Sequence, residues 1–256
     1  PTWNSYPGLF ASLATGNTVI VKPHPGAVLP LALTVATLRN LLAEAGLPRD
    51  VVLLAADSPA APLTQELVRH PAVAIVDYTG SGSFGAWVRA HAGEARVFTE
   101  EAGVNSIVIA ATDDFAAMCA NIAFSLALYS GQMCTAPQDI FVSKDGIATD
   151  QGHKTFAEVG AGIAAAIDAL LADPARAVGV CGAIANPATL ARVDAARGLG
   201  LIVRDSASTG EGRSATPLLL AVDAADEAAY GEERFGPIAF LVAVADAQDG
   251  IARAAA

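Results

Sequence analysis

Short apolar runs rich in β-branched residues alternate with helix-period segments through the first hundred residues, and this alternation restricts the fold more than any other feature. Asn17-Thr18-Val19-Ile20-Val21-Lys22 reads as a buried strand, because a continuous β-branched run suits a sheet covered on both faces. A helix from about Leu29 to Ala45 follows. Gly46, which accepts the left-handed cap conformation, and Pro48, which cannot continue the ladder, stop it. Val51 to Ala55 predicts a second strand, Ala60 to Arg69 a second helix, and Val73 to Tyr78 a third strand. That strand runs into the glycine-rich turn Thr79 to Gly85, where the next helix opens. The order βαβαβ with short connections predicts an α/β fold with a parallel sheet, whose ligands gather at the carboxyl ends of the strands.

After a strand near Arg96 to Thr99 the pattern changes to Ser106-Ile107-Val108-Ile109-Ala110 and then a long helix from about Phe115 to Leu128, which starts a second α/β unit. The Ala-rich stretch from Lys154 to Ala172 is helical in pattern, and Val203 to Glu211 reads as a polar surface loop between strands.

A chain of 256 residues, 53% of them hydrophobic, suffices for a sizeable core. Its longest apolar runs, such as Ile163 to Ala172 with Asp168 inside, stop well short of the ~20 residues a membrane-spanning helix needs, so no membrane association is expected. The opening Pro1-Thr2-Trp3-Asn4-Ser5-Tyr6-Pro7 lacks the basic start and apolar stretch of a secretory signal. It also lacks an initiator Met, so the chain is expected to be a partial-length segment. The net charge of -11 repels phosphate backbones and argues against nucleic acid as a partner. Three widely spaced cysteines fit neither a disulfide framework nor a paired zinc site and point to a reducing, cytoplasmic setting. His24, His70, His91 and His153 show no ligand spacing, so no metal is expected.

Among the cysteines, Cys134 stands apart. It lies in Tyr129-Ser130-Gly131-Gln132-Met133-Cys134-Thr135-Ala136-Pro137, a break after a long helix that can present a thiol in a backbone-rich setting. Cys119, within a helical run, and Cys181, after Ala177-Val178-Gly179-Val180, read as packing residues. Glu100 and Glu101 close a strand before Gly103, where by themselves they read as solvated loop carboxylates.

Two of these segments stand in register with a known family. Thr99-Glu100-Glu101-Ala102-Gly103-Val104-Asn105 resembles the Glu-Leu-Gly-Gly-Lys motif of aldehyde dehydrogenases, and Gly131-Gln132-Met133-Cys134 resembles their Gly-Gln-x-Cys nucleophile, at the separation typical of that family. The resemblance makes Cys134 the nucleophile and Glu100, rather than Glu101, the general base, while Val104 replaces the usual Lys. Trp3-Asn4 followed by Pro7 resembles the Pro-Trp-Asn-x-Pro motif and gives Asn4 the role of oxyanion donor. Val21-Lys22-Pro23-His24-Pro25 resembles Val-Lys-Pro-Ser-Glu, which places Lys22 on the adenosine ribose. Pro25 replaces the Glu that would bind the ribose hydroxyls and repel a 2′-phosphate, so NAD and NADP both remain open.

Gly80-Ser81 through Gly85 resembles the Gly-Ser-x-x-x-Gly turn at which a helix N-terminus takes a pyrophosphate. Glu232-Glu233-Arg234-Phe235-Gly236-Pro237 resembles Glu-Glu-x-Phe-Gly-Pro, which implies that Glu233 contacts the nicotinamide ribose and Phe235 the ring. Several phrases look most like the phenylacetate-degradation (PaaN-type) branch. The resemblance implies a partial Rossmann-like cofactor domain over residues 1–103 and a partial thiolate-bearing catalytic domain over 104–256. It implies NAD(P)-dependent oxidation of a small-molecule aldehyde to a carboxylic acid by a homo-oligomer, dimer or tetramer at full length. The alternatives are coenzyme A as acyl acceptor and a catalytically silent homologue of the same fold.

Overall fold

The computed structural model describes residues 2–101, 103–210 and 212–255; Pro1, Ala102, Glu211 and Ala256 lie outside the described residues. The chain divides into two compact units, Pro1–Glu101 and Ala102–Ala256.

In the first unit a single 3₁₀ turn, Thr2–Ser5, leads into helix α1 (Tyr6–Ala14), with Pro7 at a helix-start position where its missing N–H costs nothing. Strand β1 (Val19–Val21), helix α2 (Val28–Glu44) and strand β2 (Val52–Leu54) follow. α2 ends as expected: Gly46 has φ +72° and the Leu47 N–H returns to the Leu42 carbonyl at 2.8 Å. Helix α3 (Thr64–Arg69), strand β3 (Ile75–Gly80), helix α4 (Gly82–His91) and strand β4 (Arg96–Glu101) complete the unit.

Three local expectations shift. α3 is a short helix starting at Thr64, not Ala60, because Pro59 and Pro62 leave the preceding residues in a turn bridged by Ser58 and Ala61. β3 starts two residues late, since the Val73 N–H closes a turn on the His70 carbonyl around Pro71. The pairing is parallel as expected, but it comes as two separate ladders, β1 with β2 and β3 with β4, rather than one sheet. Each ladder has its own small core: Leu9, Val21, Leu31, Val35 and Val52 under the first, and Val68, Val88 and Ala92 under the second.

The second unit is built on one five-stranded sheet. Its elements run β5 (Asn105–Ile109), α5 (Phe115–Ala127), β6 (Pro137–Ser143), the hairpin β7 (Ile147–Thr149) and β8 (Gly152–Lys154), α6 (Phe156–Leu171), α7 (Pro174–Cys181), α8 (Ala188–Ala196), β9 (Leu201–Arg204), β10 (Leu218–Asp223), α9 (Glu227–Tyr230), β11 (Ile238–Val244) and α10 (Ala247–Ala254). The order is β5-β6-β11-β10-β9, parallel except for the edge strand β9. β9 takes the first residues of the stretch expected to be loop.

Strand alternation sorts the interior strictly. Ile140, Val142, Leu219, Ala239 and Leu241 meet Ile122, Val159, Ile163 and Ile167 of α5 and α6 on one face. Phe141, Leu218, Leu220, Phe240 and Val242 meet Val193 of α8 and Tyr230 of α9 on the other. Cys119 and Cys181 are buried packing residues, as their surroundings in the sequence suggested. Among the described residues no helix is long and apolar enough to cross a membrane.

Candidate active site

The segment bearing Cys134 is a strained elbow. After α5, Tyr129 (φ 51°), Ser130 (φ 52°) and Gly131 (φ 62°) all take the left-handed conformation. That conformation costs a residue with a Cβ about 1–2 kcal/mol, so its surroundings must enforce it. Three side chains do so. The buried Ser130 hydroxyl lies 3.0 Å from the Cys181 carbonyl and 2.8 Å from that of Ala215. The Gln132 amide donates to the Tyr129 and Ala183 carbonyls at 2.9 and 3.1 Å and accepts the Ala185 N–H at 3.1 Å. Asn105 Nδ2 donates to the carbonyls of Cys134 itself, at 2.6 Å, and of Ala136, at 3.2 Å. Cys134 is half-buried and forms no disulfide.

Against this elbow rests the second expected segment. A Cβ on Gly131 would stand 2.3 Å from the Gly236 carbonyl oxygen, so glycine here serves both the positive φ and a backbone-to-backbone approach. The structure thereby brings the loop of Cys134 and the loop of Glu233 and Phe235 together, and both border one shallow crevice with Met133 and Ala136. Glu233 is half-buried; burial pushes its carboxyl up from the ordinary range, while the charge of Arg192 pulls it back. Arg192 is itself half-buried, and its Nε donates to the Phe235 carbonyl at 3.0 Å.

Within the first unit, Asn4 sits in the turn before α1 with its Oδ1 buried and without a hydrogen-bond partner. Alternation along β4 sends the two glutamates to opposite faces. Glu101 pairs with Arg89, which also donates to the Thr99 hydroxyl at 2.7 Å. Glu100 is exposed on the other face, opposite Thr79 in the ladder. It has a neighbour the sequence did not flag: Asp77, whose carboxyl is pushed up by burial and then by the charge of Glu100. Asp77 Oδ2 occupies the space above Gly8 of α1, where a Cβ would come within 1.8 Å, so α1 approaches this carboxylate at its glycine.

Lys22 Nζ lies 2.6 Å from Asp57 Oδ1 and donates to the Pro23 carbonyl at 2.8 Å. Asp57 comes from the segment after β2, a meeting with Lys22 that sequence separation concealed. Ser81 is the N-cap of α4, its hydroxyl accepting the Phe84 N–H at 3.4 Å, and Gly80 precedes it. Gly85 lies inside α4 rather than in the turn. A Cβ there would stand 2.0 Å from Glu101 Oε1, so packing against Glu101 accounts for this glycine.

Comparison with known proteins agrees with the motifs. The whole chain, residues 1–256, matches the aldehyde dehydrogenase family. A crystal structure described as an NAD-dependent aldehyde dehydrogenase from Burkholderia multivorans is 53% identical, with a TM-score of 0.91 over 97% of this chain and 46% of that one. Lactaldehyde dehydrogenase of Escherichia coli K12 is 29% identical over 95% of this chain and 50% of its own length. N-succinylglutamate 5-semialdehyde dehydrogenase of Burkholderia mallei is 31% identical over 95% of this chain and 49% of its own. The chain spans about half the length of these relatives. With motifs, fold and a family match over residues 1–256 in agreement, this chain belongs to the aldehyde dehydrogenase family.

Proposed function

We propose that this chain carries the nucleophile and cofactor-binding segments of an enzyme that oxidises an aldehyde to a carboxylic acid with NAD. The observation that carries the reading is the enforced elbow at Tyr129–Gly131, whose Gly131 packs the segment bearing Cys134 against Gly236 in the loop of Glu233 and Phe235. Backbone strain of this kind persists where a site needs one fixed geometry.

In this reading the Cys134 thiolate adds to the aldehyde carbonyl, and the resulting oxyanion is held by the Asn4 amide and the Cys134 backbone N–H. Donors of this type are worth about 3 kcal/mol each. A nicotinamide held by Glu233 and Phe235 would supply the hydride acceptor for oxidation of the Cys134 adduct to a thioester. Glu100 then takes a proton from a water whose oxygen adds to the thioester carbonyl carbon, and collapse of that adduct breaks the C–S bond, releasing the carboxylic acid and the Cys134 thiolate.

The residues present fit a dinucleotide. Lys22 would take the adenosine ribose, the N-terminus of α4 at Gly80 and Ser81 the pyrophosphate, and Glu233 and Phe235 the nicotinamide riboside. Asp57 restores negative charge beside Lys22 and so disfavours a 2′-phosphate, which supports NAD over NADP. The description of the Burkholderia multivorans protein as NAD-dependent points the same way. Gly85, accounted for by Glu101, drops to a packing role. The phrases shared with the phenylacetate-degradation branch support an arylacetaldehyde-type substrate. The family resemblance and the scattered cysteines support a cytoplasmic dimer or tetramer as the full-length state.

The test is NADH formation with phenylacetaldehyde and short aliphatic aldehydes, with and without coenzyme A, beside a Cys134→Ser variant. The expected result is turnover independent of coenzyme A, lost by about a thousandfold or more in Cys134→Ser with NAD binding retained. A wild type that binds NAD and never turns over would make the chain a silent homologue, and strict dependence on coenzyme A would replace Glu100 hydrolysis with acyl transfer.

A further inference from the structure

Gln138 is the second residue of β6, four positions after the thiol, and neither its type nor its neighbours in the sequence mark it. In the fold it is 5% exposed, and apart from a 3.4 Å contact of Nε2 with the neighbouring Asp139 carboxylate its amide serves one loop. Nε2 donates to the Tyr230 carbonyl at 2.8 Å and to the Glu232 carbonyl at 3.0 Å, while Oε1 accepts the Arg234 N–H at 2.6 Å. From the other side Arg192 donates to the Phe235 carbonyl at 3.0 Å and is itself held by the Thr189 hydroxyl at 2.7 Å. The stretch between α9 and β11 has no ladder of its own over Glu233 and Phe235. Those two side chains are therefore placed by the clamp on the backbone around them.

We infer that Gln138, seconded by Arg192, is a positioning residue that ties the Glu233–Phe235 loop to the strand leading from Cys134, and so fixes the grip on the nicotinamide end of the cofactor relative to the thiol. This rests on the reading of Glu233 and Phe235 as cofactor contacts. The chemistry of the clamp demands an amide of this length. A glutamate at 138 would set a charged acceptor against two carbonyls, and an alanine would leave two buried acceptors and a donor unmet.

The test uses Gln138→Ala, Gln138→Glu and Arg192→Lys in the active protein, with steady-state kinetics in NAD and in aldehyde and the rate of Cys134 alkylation by iodoacetamide without cofactor. Cys119 and Cys181 are buried, so alkylation reports on Cys134. The expected result is a KM for NAD raised by about tenfold or more in both Gln138 variants and about threefold in Arg192→Lys, with the KM for aldehyde and the alkylation rate within about twofold of wild type. A KM for NAD within twofold of wild type in folded variants overturns the inference. So does a parallel change in NAD affinity and alkylation, which would make Gln138 a general packing residue. Should the Gln138 variants not fold, Arg192→Lys decides by the same criteria. A wild type that never reduces NAD overturns the dehydrogenase reading and this inference together, whereas an active wild type with insensitive variants overturns this inference alone.

Discussion

The two units solve the problem of building a parallel sheet differently. In residues 102–256 the central strands β6, β11 and β10 are covered on both faces, with Ile140, Val142, Leu219, Phe240 and Leu241 all fully buried, and only the edge strand β9 leaves large apolar residues open among the described residues, Leu201 at 75% and Ile202 at 42%. In residues 1–101 the strands stand in pairs, and large apolar residues on them remain open: Ile20 is 46% exposed, Leu53 40%, Ile75 43% and Phe98 53%. Parallel strands are ordinarily buried on both sides, so these two ladders carry apolar surface that the described chain does not cover. The contrast extends to the sites. Cys134 rests on an elbow that side chains from several buried elements enforce, whereas Lys22 and Glu101 are held by single ion pairs, to Asp57 and Arg89.

The sharpest way to break this comparison is to remove one aromatic ring from each sheet. Phe240→Ala should cost about 4 kcal/mol, the lost transfer energy plus the cavity left in a closed core. Phe98→Ala, at a half-open site, should cost under about 1 kcal/mol. Urea denaturation of both variants reads the difference directly. Equal losses would mean that Phe98 is covered in the protein in solution and that the first unit is as closed as the second.

A second contrast is electrical. Asp139, 2% exposed on β6, has its carboxyl pushed up to about 7 by burial, with the Gln138 amide at 3.4 Å opposing. The raised Tyr230 hydroxyl, shifted first by burial, also feels the Asp139 charge. Because the folded state favours the neutral acid, an unfolded chain ionises first as pH rises. The penalty of burying the charge therefore grows from about pH 4 to pH 7 and then stays constant. Its ceiling is on the order of 4 kcal/mol, and relaxation around the charge should leave about 2. Asp139→Asn should match wild type near pH 4 and exceed it by about 2 kcal/mol at pH 8 in chemical denaturation. Asp77 of the first unit is shifted in the same direction but is less enclosed, so Asp77→Asn should show a shallower slope. A flat profile for Asp139→Asn would mean that the carboxylate is solvated.

These contrasts also separate what could be read from the chain from what could not. Local chemistry was legible: the stop at Gly46, the helix from Phe115 and the burial of Cys119 and Cys181 all follow from neighbours within a few residues, whereas Glu100 and Glu101, which read as loop carboxylates by themselves, are the last two residues of β4 and face opposite ways. The division into two ladders was not, because whether parallel strands join one sheet depends on partners far along the chain. The left-handed Tyr129 and Ser130 carry no compositional mark, since their conformation is imposed by Cys181, Ala183 and Ala215. Asp57 beside Lys22, Asp77 beside Glu100 and the Gln138 clamp are likewise meetings of distant segments, visible only once the strands are placed.

Helix starts provide the finest form of the comparison. In the second unit Asp114, Thr155, Asp173 and Asp246 each accept a first-turn N–H with a side-chain oxygen, and Thr155 with Glu158 completes a capping box. In the first unit only Ser81 does so among the described residues; Ser5, Ala27 and Leu63 cap nothing. α2 has 17 residues and begins after Ala27, whose φ of -144° and ψ of 45° already lie outside the helix. Ala27→Asp would supply both an acceptor and a negative charge at the helix start, a gain of about 1 kcal/mol. Thr155→Ala should lose about as much from α6. Amide hydrogen exchange resolved along α2 and α6 distinguishes a local from a global effect. Protection should rise across the first turns of α2 in Ala27→Asp and fall across those of α6 in Thr155→Ala. If Ala27→Asp leaves α2 unchanged, the limit on that helix is the open apolar face it presents, with Leu29 68% and Leu33 60% exposed, rather than its missing cap. The weakness of the first unit would then lie in its packing alone.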